Sequence, residues 1–241
     1  MSDHHKTVVQ AVKKHWKDYF KPSSYKVDYR LKSVAQLSFL EENYNLIILD
    51  RDCTLHGYHA KHRIPDFEPA LQRIKKKSEI VSNSSFEEML RIRDVFGDLF
   101  PVNKLVFFAS IASPCLLRFA DGKLNVLSYN METREFTDLT RNLSQKDKLL
   151  EKIVYNFRKP NPSAVRAVID YNKFIGAIPK EKGRFLMVGD RYLTDIVCGN
   201  LAGITTALVE PVGHTSEKIS LMLGRWLIDV PVGGLMSRLA R

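Results

Sequence analysis

Two aspartates, Asp50 and Asp52, directly follow the apolar run Leu46–Leu49. Side chains two positions apart on an extended chain point to the same side, so both carboxylates are expected to face one ligand. One carboxylate can attack phosphorus, while the other can protonate a leaving alcohol and then activate water. Because two carboxylates and a phosphate repel one another, this chemistry needs a hard cation such as Mg²⁺. The same pattern is also common where a strand simply ends in a solvated turn.

Three further side chains are candidates for contacting a phosphate. Ser82 and Asn83 follow the apolar run Glu79–Val81, and their hydroxyl and amide can hydrogen-bond phosphate oxygens without adding charge. Lys159 precedes a proline and offers positive charge to a phosphate and to an aspartyl nucleophile. Taken alone, each pattern more often marks a plain turn or a solvated surface lysine.

A second pair of aspartates follows the apolar run Phe185–Val188. Asp190 comes directly after Gly189, and Asp195 stands at a predicted helix start. Asp190 is expected to complete the metal site. Asp195 can bind the metal, directly or through water, or it can orient neighbouring side chains. A third interpretation is that Asp195 is only an N-terminal residue of a helix.

Short apolar runs alternate with helical patterns along the chain, which is typical of βαβ units and a parallel sheet. The predicted strands are Asn45–Leu49, Glu79–Val81, Leu105–Phe108, Phe185–Val188 and Thr205–Val209, and the predicted helices are Asp66–Lys77, Phe86–Phe96, Ser163–Phe174 and a short one after Thr194. Three of the four motifs thus follow predicted strands directly, at the carboxyl ends where open α/β sheets bind ligands.

Residues 110–141 interrupt this alternation. Strands are predicted at Cys115–Phe119, Lys123–Tyr129 and Arg134–Leu139, with an Asp-Gly hairpin turn between the first two. A helix is predicted over Ser144–Tyr155. We expect an inserted β-meander that either caps the site or extends one edge of the sheet.

The four motifs, in this order, resemble those of the haloacid dehalogenase (HAD) superfamily. The flanking segments, Lys32 to Val34 and Leu37 to Glu42 before the first motif and Gly189 to Ile204 around the last, are similar to the bacterial and mitochondrial phosphatidylglycerophosphate phosphatases. The resemblance covers residues 20–108 and 155–212. It departs from that group at Cys53, where the group usually has Asn, and in the longer span between Ser82 and Lys159, whose insertion can cover or reshape the mouth of the site.

The resemblance implies a doubly wound α/β sheet of the HAD-like Rossmannoid type and a role for each motif residue. The catalytic residues are Asp50, Asp52 and Lys159, as nucleophile, acid/base and charge-stabilising group; the substrate-binding residues are Thr54, Ser82 and Asn83; the Mg²⁺ ligands are Asp50, Asp52, Asp190 and Asp195. The expected divisions are a basic amphipathic helix and lead-in (1–40), the first half of the HAD core (41–109), the meander plus helix (110–155), and the second half of the core with a C-terminal tail (156–241).

The 241 residues include 37 Lys+Arg and 27 Asp+Glu, and the net charge of +10 favours anionic partners such as phospholipid surfaces or nucleic acid. Organellar matrix proteins are often basic without such a partner. Val8, Val12, Trp16 and Phe20 recur every fourth residue among lysines, which predicts a basic amphipathic helix over residues 6–20. That helix lies on an anionic membrane, belongs to a mitochondrial presequence, or docks on its own domain. No apolar run approaches the roughly 20 residues of a membrane-spanning helix, so none is expected.

Three functions remain open at this point. The first is a Mg²⁺-dependent phosphomonoesterase acting through an aspartyl-phosphate, with phosphatidylglycerophosphate of mitochondrial phospholipid synthesis as substrate, in the matrix or at the inner-membrane surface. The second is a HAD-fold assembly or binding factor of a mitochondrial ribonucleoprotein such as a mitoribosome, with or without residual phosphatase activity. The third is a soluble phosphatase for nucleotides, sugar phosphates or phosphoproteins.

Overall fold

The computed structural model describes residues 21–57, 61–108, 111, 113–140, 153–212 and 230–240. The amphipathic helix predicted over residues 6–20 lies outside these ranges. Residues 144–152, which form most of the helix predicted after the meander, also lie outside the described ranges.

Ten strands in the described residues form one sheet. They are β1 (Tyr29–Leu31), β2 (Leu46–Leu49), β3 (Ser78–Val81), β4 (Val102–Phe108), β5 (Ser113–Ala120), β6 (Lys123–Tyr129), β7 (Phe136–Asp138), β8 (Ile153–Asn156), β9 (Phe185–Gly189) and β10 (Thr205–Val209). Their order is β1-β10-β9-β2-β3-β4-β5-β6-β7, and β8 pairs with β4. The pairs from β1 to β4 are parallel, and those from β4 to β7 are antiparallel.

Helices cover both faces of this sheet. The α-helices are α1 (Glu68–Ile74), α2 (Phe86–Phe96), α3 (Ser163–Phe174), α4 (Val197–Ala202) and α5 (Val230–Leu239). The apolar residues of α1 and α2 pack in one core with Ile47 and Leu49 of β2. Those of α3 and α4 pack in a second core with Leu46 and Ile48 of the same strand. All four residues of β2 are buried because helices lie on both sides of it, which is why its sequence is a continuous apolar run. The predicted doubly wound α/β fold is confirmed.

The meander extends one edge of the sheet. Strand β5 pairs with the whole length of β4, and β6 and β7 follow as antiparallel neighbours. Asp121 and Gly122, between β5 and β6, have φ of 51° and 72°. Both values lie in the left-handed region that a two-residue hairpin turn requires, as the Asp-Gly pair predicted.

Two details of the predicted meander are wrong. Residues 153–155 were expected in a helix, but they belong to β8, which pairs with the second half of β4 beyond the point where β3 ends. The pairing gives hydrogen-bond partners to backbone groups of β4 that β3 does not reach. This tertiary pairing outweighs the helical pattern in the sequence before residue 156. Arg134 was expected in a strand but has φ of 61° in a turn, so the third strand begins at Phe136.

A buried polar network fastens the meander to the rest of the fold. Arg118 of β5 forms an ion pair with Glu79 of β3, and both side chains are less than a tenth exposed. Glu79 also accepts hydrogen bonds from the side-chain amides of Asn103 at 2.9 Å and Asn172 at 2.8 Å. Strands β3, β4 and β5 and helix α3 therefore share one carboxylate.

Candidate active site

Three neighbouring parallel strands bring their motifs to one edge of the sheet. Strands β9, β2 and β3 lie side by side, and Leu49 is in register with Val188 on one side and Ile80 on the other. The residues that follow these strands are Asp50, Ser82 and Asp190. Their side chains therefore start from the same carboxyl-terminal edge, where open α/β sheets hold ligands.

Lys159 lies between two of the aspartates. Its ammonium group donates a hydrogen bond to Oδ1 of Asp50 and another, 2.7 Å long, to Oδ1 of Asp195, and its side chain is 1% exposed. Burial alone lowers the pKa of a lysine, but the charges of Asp195 and Asp50 outweigh it and raise the pKa of Lys159 above its usual range. Lys159 is therefore a permanent positive charge at this edge.

Asn83 holds the backbone of Lys159 in place. The Asn83 amide donates to the carbonyl oxygen of Lys159 at 3.0 Å, and the Lys159 backbone N–H donates to Oδ1 of Asn83 at 2.6 Å. This reciprocal pair joins the loop after β3 to the loop before α3. Asn83, predicted to bind substrate, uses both ends of its amide to position the lysine.

Asp195 reaches the site because Gly189 has no side chain. A Cβ atom on Gly189 would lie 2.3 Å from Cγ of Asp195. Asp195 is fully buried in a π-helical turn, Tyr192–Ile196, and its Oδ2 accepts a hydrogen bond from the backbone N–H of Arg191 at 3.2 Å. Burial raises the pKa of Asp195, and the charge of Lys159 opposes that rise.

Asp50, Asp190 and Asp195 form a group that fits a divalent cation. Each places one carboxylate oxygen within 4.8 Å of the other two, and all three residues are buried. Lys159 offsets only part of their negative charge, and a bound cation would relieve the repulsion among the three buried carboxylates. Hard oxygen ligands and residual negative charge suit Mg²⁺. Thr54 donates to Oδ1 of Asp190 at 3.2 Å and so orients this ligand from behind.

Asp52 lies outside this group of three aspartates. Its Oδ1 accepts hydrogen bonds from Nε and Nη2 of Arg51 at 2.8 and 2.5 Å, and its side chain is 27% exposed. Asp52 is thus the more accessible of the two carboxylates in the first motif. Ser82 is also partly exposed, and its hydroxyl hydrogen-bonds that of Ser84 at 2.8 Å.

The structure brings together Asp50, Lys159, Asp190 and Asp195 by direct contact or close approach. It places Ser82 at the same edge of the sheet, and it gives Thr54 and Asn83 contacts to other site residues. Sequence reasoning missed Arg51 and Gly189. The signal for Gly189 was present, since a glycine between an apolar strand and an aspartate often marks a close approach. Arg51 gave none, because an arginine beside an aspartate is ordinary in a solvated turn.

Residues 156–220 match a family model described as HAD-hydrolase-like. The matched segment contains Lys159, Asp190 and Asp195 and about a quarter of the chain. No curated protein and no solved structure matches the chain. The match and the doubly wound sheet support the HAD superfamily as the class of protein, and within it a hydrolase of the phosphatase type. Hydrolases of this class generally use Mg²⁺, in agreement with the three-aspartate group.

Proposed function

We propose that the protein is a Mg²⁺-dependent phosphomonoester hydrolase that works through an aspartyl-phosphate. The observation that carries this proposal is the buried contact of Lys159 with both Asp50 and Asp195, beside Asp190. Burying charged groups costs more than their attraction returns, so such a cluster contributes little to folding and is typical of a working site.

In the first step, an oxygen of Asp50 attacks phosphorus and the bond from phosphorus to the leaving alcohol oxygen breaks. Asp52 donates a proton to that oxygen. In the second step, Asp52 takes a proton from water, the water oxygen attacks the same phosphorus, and the bond to Asp50 breaks to release inorganic phosphate. Lys159 stabilises the negative charge of the phosphoryl group and of Asp50.

The metal would be held by Asp50, Asp190 and Asp195 and would neutralise the charge that gathers on the phosphoryl oxygens. Thr54 keeps Asp190 in place for this role, and Asn83 does the same for Lys159. Ser82 offers its hydroxyl to a phosphoryl oxygen from the neighbouring strand end.

Phosphatidylglycerophosphate, at the matrix side of the mitochondrial inner membrane, is the substrate that we propose. Two features support it: the flanking segments resemble phosphatases for this lipid, and the net charge of +10 favours an anionic surface. None of the helices in the described residues is long and apolar enough to cross a membrane.

The test is a phosphate-release assay of the purified protein with Mg²⁺, comparing 4-nitrophenyl phosphate with phosphatidylglycerophosphate in mixed micelles. Asp50→Asn is expected to abolish turnover of both substrates without changing the thermal unfolding midpoint much. The matched control is Asp94→Asn, which changes an exposed aspartate on α2 that forms an ion pair with its neighbour Arg93, and it should retain full activity. Full activity of Asp50→Asn, or undiminished activity in excess chelator, would reject the mechanism.

The assay also separates the alternatives. Hydrolysis of the aryl phosphate alone would reject the lipid substrate and favour a soluble phosphatase. Absence of hydrolysis with either substrate, together with salt-dependent RNA binding above that of a neutral protein, would favour the ribonucleoprotein assembly factor, which the positive charge also suits.

A further inference from the structure

Arg51 is the largest fully buried side chain among the described residues, and it stands between the two carboxylates of the first motif. A guanidinium keeps its charge under all ordinary conditions, so burying one is costly unless its donors are paired. The Arg51 side chain is 2% exposed, and its donors are directed at two carboxylates.

The two partners of Arg51 come from different parts of the fold. Nε and Nη2 donate to the same oxygen of Asp52, Oδ1, while Nη1 donates to Oε1 of Glu88 at 2.6 Å. Glu88 lies in the first turn of α2, the helix that follows the loop with Ser82. Its other oxygen accepts a hydrogen bond from Arg91 at 3.2 Å. The orientation of Arg51 is therefore set by a helix and passed on to Asp52.

Only one oxygen of Asp52 is used in this way. Among the described residues, hydrogen bonds to the Asp52 side chain reach Oδ1, and Oδ2 receives none. We propose that Arg51 is a positioning residue for proton transfer: it fixes Oδ1 of Asp52 so that Oδ2 is the oxygen that carries the proton. A carboxylate free to turn would spend part of its time with neither oxygen directed at the substrate, and proton transfer requires hydrogen-bond reach.

This inference rests on the proposed phosphatase function, and it assigns Arg51 to one part of the reaction. In the first step, Oδ2 gives its proton to the leaving oxygen as the bond to phosphorus breaks, and in the second it takes a proton from water. A poor leaving group such as an alkyl alcohol needs that proton, whereas 4-nitrophenolate leaves largely without it. Loss of positioning should therefore depend on the leaving group, and a purely structural defect should not.

The experiment compares kcat/KM, which reports steps up to the release of the alcohol, for glycerol 3-phosphate and 4-nitrophenyl phosphate. For Arg51→Met, we expect a fall of about 100-fold with the alkyl phosphate and less than about threefold with the aryl phosphate, in line with the size of general acid catalysis. At saturating 4-nitrophenyl phosphate, kcat should still fall, because the attack of water needs Asp52 as a base.

Two further variants keep the result interpretable. Arg51→Met leaves Glu88 short of a partner, so Arg51→Met/Glu88→Gln removes both charges together, which buried pairs tolerate far better. The double variant should show the same dependence on the leaving group. Arg91 also contacts Glu88, but the side chain of Arg91 is 71% exposed. Arg91→Gln should therefore behave as the wild type with both substrates.

Equal losses with the two substrates in a folded variant would overturn the positioning role, and so would unchanged kcat/KM with both. If the wild type hydrolyses neither of these substrates nor phosphatidylglycerophosphate in Mg²⁺, the proposed function fails instead. The two failures are therefore distinguishable in one set of measurements.

Discussion

Replacement of Gly189 by alanine should disable the site through a single methyl group. The added Cβ would lie 2.3 Å from Cγ and Oδ2 of Asp195 and 2.4 Å from its Cβ, whereas ordinary contacts begin at 3.4 Å. Asp195 must therefore move by about 1 Å, and it is fully buried with hydrogen bonds on both oxygens, so no easy displacement is open to it. We expect a loss of about 1–3 kcal/mol in unfolding free energy. We expect kcat to fall by about 100-fold, since Lys159 and the metal ligands shift with Asp195.

Gly199→Ala is the matched control for this change. A Cβ there would lie 2.6 Å from Cγ2 of Thr206 and 3.0 Å from Cβ of Met187, in the packing of α4 on the sheet, and these nearest atoms belong to no catalytic or metal-binding residue. It should lower stability by a similar amount while kcat stays near the wild-type value. The measurements are urea unfolding and phosphate release at saturating substrate and Mg²⁺. If the two alanine variants lose stability equally and also share the same kcat, the role given to the approach of Asp195 to Gly189 is wrong.

Three other changes test separate parts of the structure. Thr54→Val removes the hydroxyl that donates to Asp190, so Mg²⁺ affinity should fall roughly tenfold while kcat at saturating Mg²⁺ stays the same. Mg²⁺ titrations of the thermal unfolding midpoint and of activity measure this affinity. Wild-type affinity in both titrations would contradict the prediction. Arg118→Met should lower the unfolding free energy by about 3–5 kcal/mol, because it leaves the buried charge of Glu79 uncompensated. The double variant Arg118→Met/Glu79→Gln should recover much of that loss in denaturant unfolding. Equal unfolding free energies of the wild type and Arg118→Met would contradict this. Burial lowers the pKa of Lys104 from 10.5 to about 8, so between these pH values the unfolded chain binds more protons than the folded one, and the unfolding free energy should rise with pH. Lys104→Met should flatten this rise, measured by denaturant unfolding at several pH values. An unchanged pH dependence in the variant would reject the assignment.

Apolar runs and helical periodicity predicted the central strands and the helices that cover them, because each of these has one dominant local signal. They did not predict strand β1 or helix α5. Helices over Phe86–Phe96 and Ser163–Phe174 have the predicted bounds. The helix expected over residues 66–77 is also present, with a short 3₁₀ turn at each end of α1. Strand β8 was missed although Ile153, Val154 and Tyr155 favour a strand, because so short a run follows a helical pattern and its pairing depends on the open length of β4 beyond β3.

The candidate site was predictable in outline and not in its contacts. Residue types at strand ends indicated which side chains share one edge, because parallel strands align those ends. The orientation of each side chain is decided by partners far away in the sequence. Thr54 was predicted to bind substrate, and nothing in the sequence indicated that its hydroxyl donates to Asp190. The conformation of Asp52 likewise depends on Glu88 through Arg51. Such contacts follow from packing between distant segments, on which local patterns carry no information.

The two ends of the sheet bear on how the protein behaves at high concentration. In the order formed by the described strands, the outermost members are β1 and β7, and each is three residues long. An edge strand presents unpaired backbone groups that can recruit a strand from another molecule, and shortening it is a common natural protection. The two ends of this nine-strand path therefore offer little template for intermolecular pairing. The apolar, largely buried strands β2 and β9 lie in the interior of the order, so aggregation through them should require unfolding of the sheet.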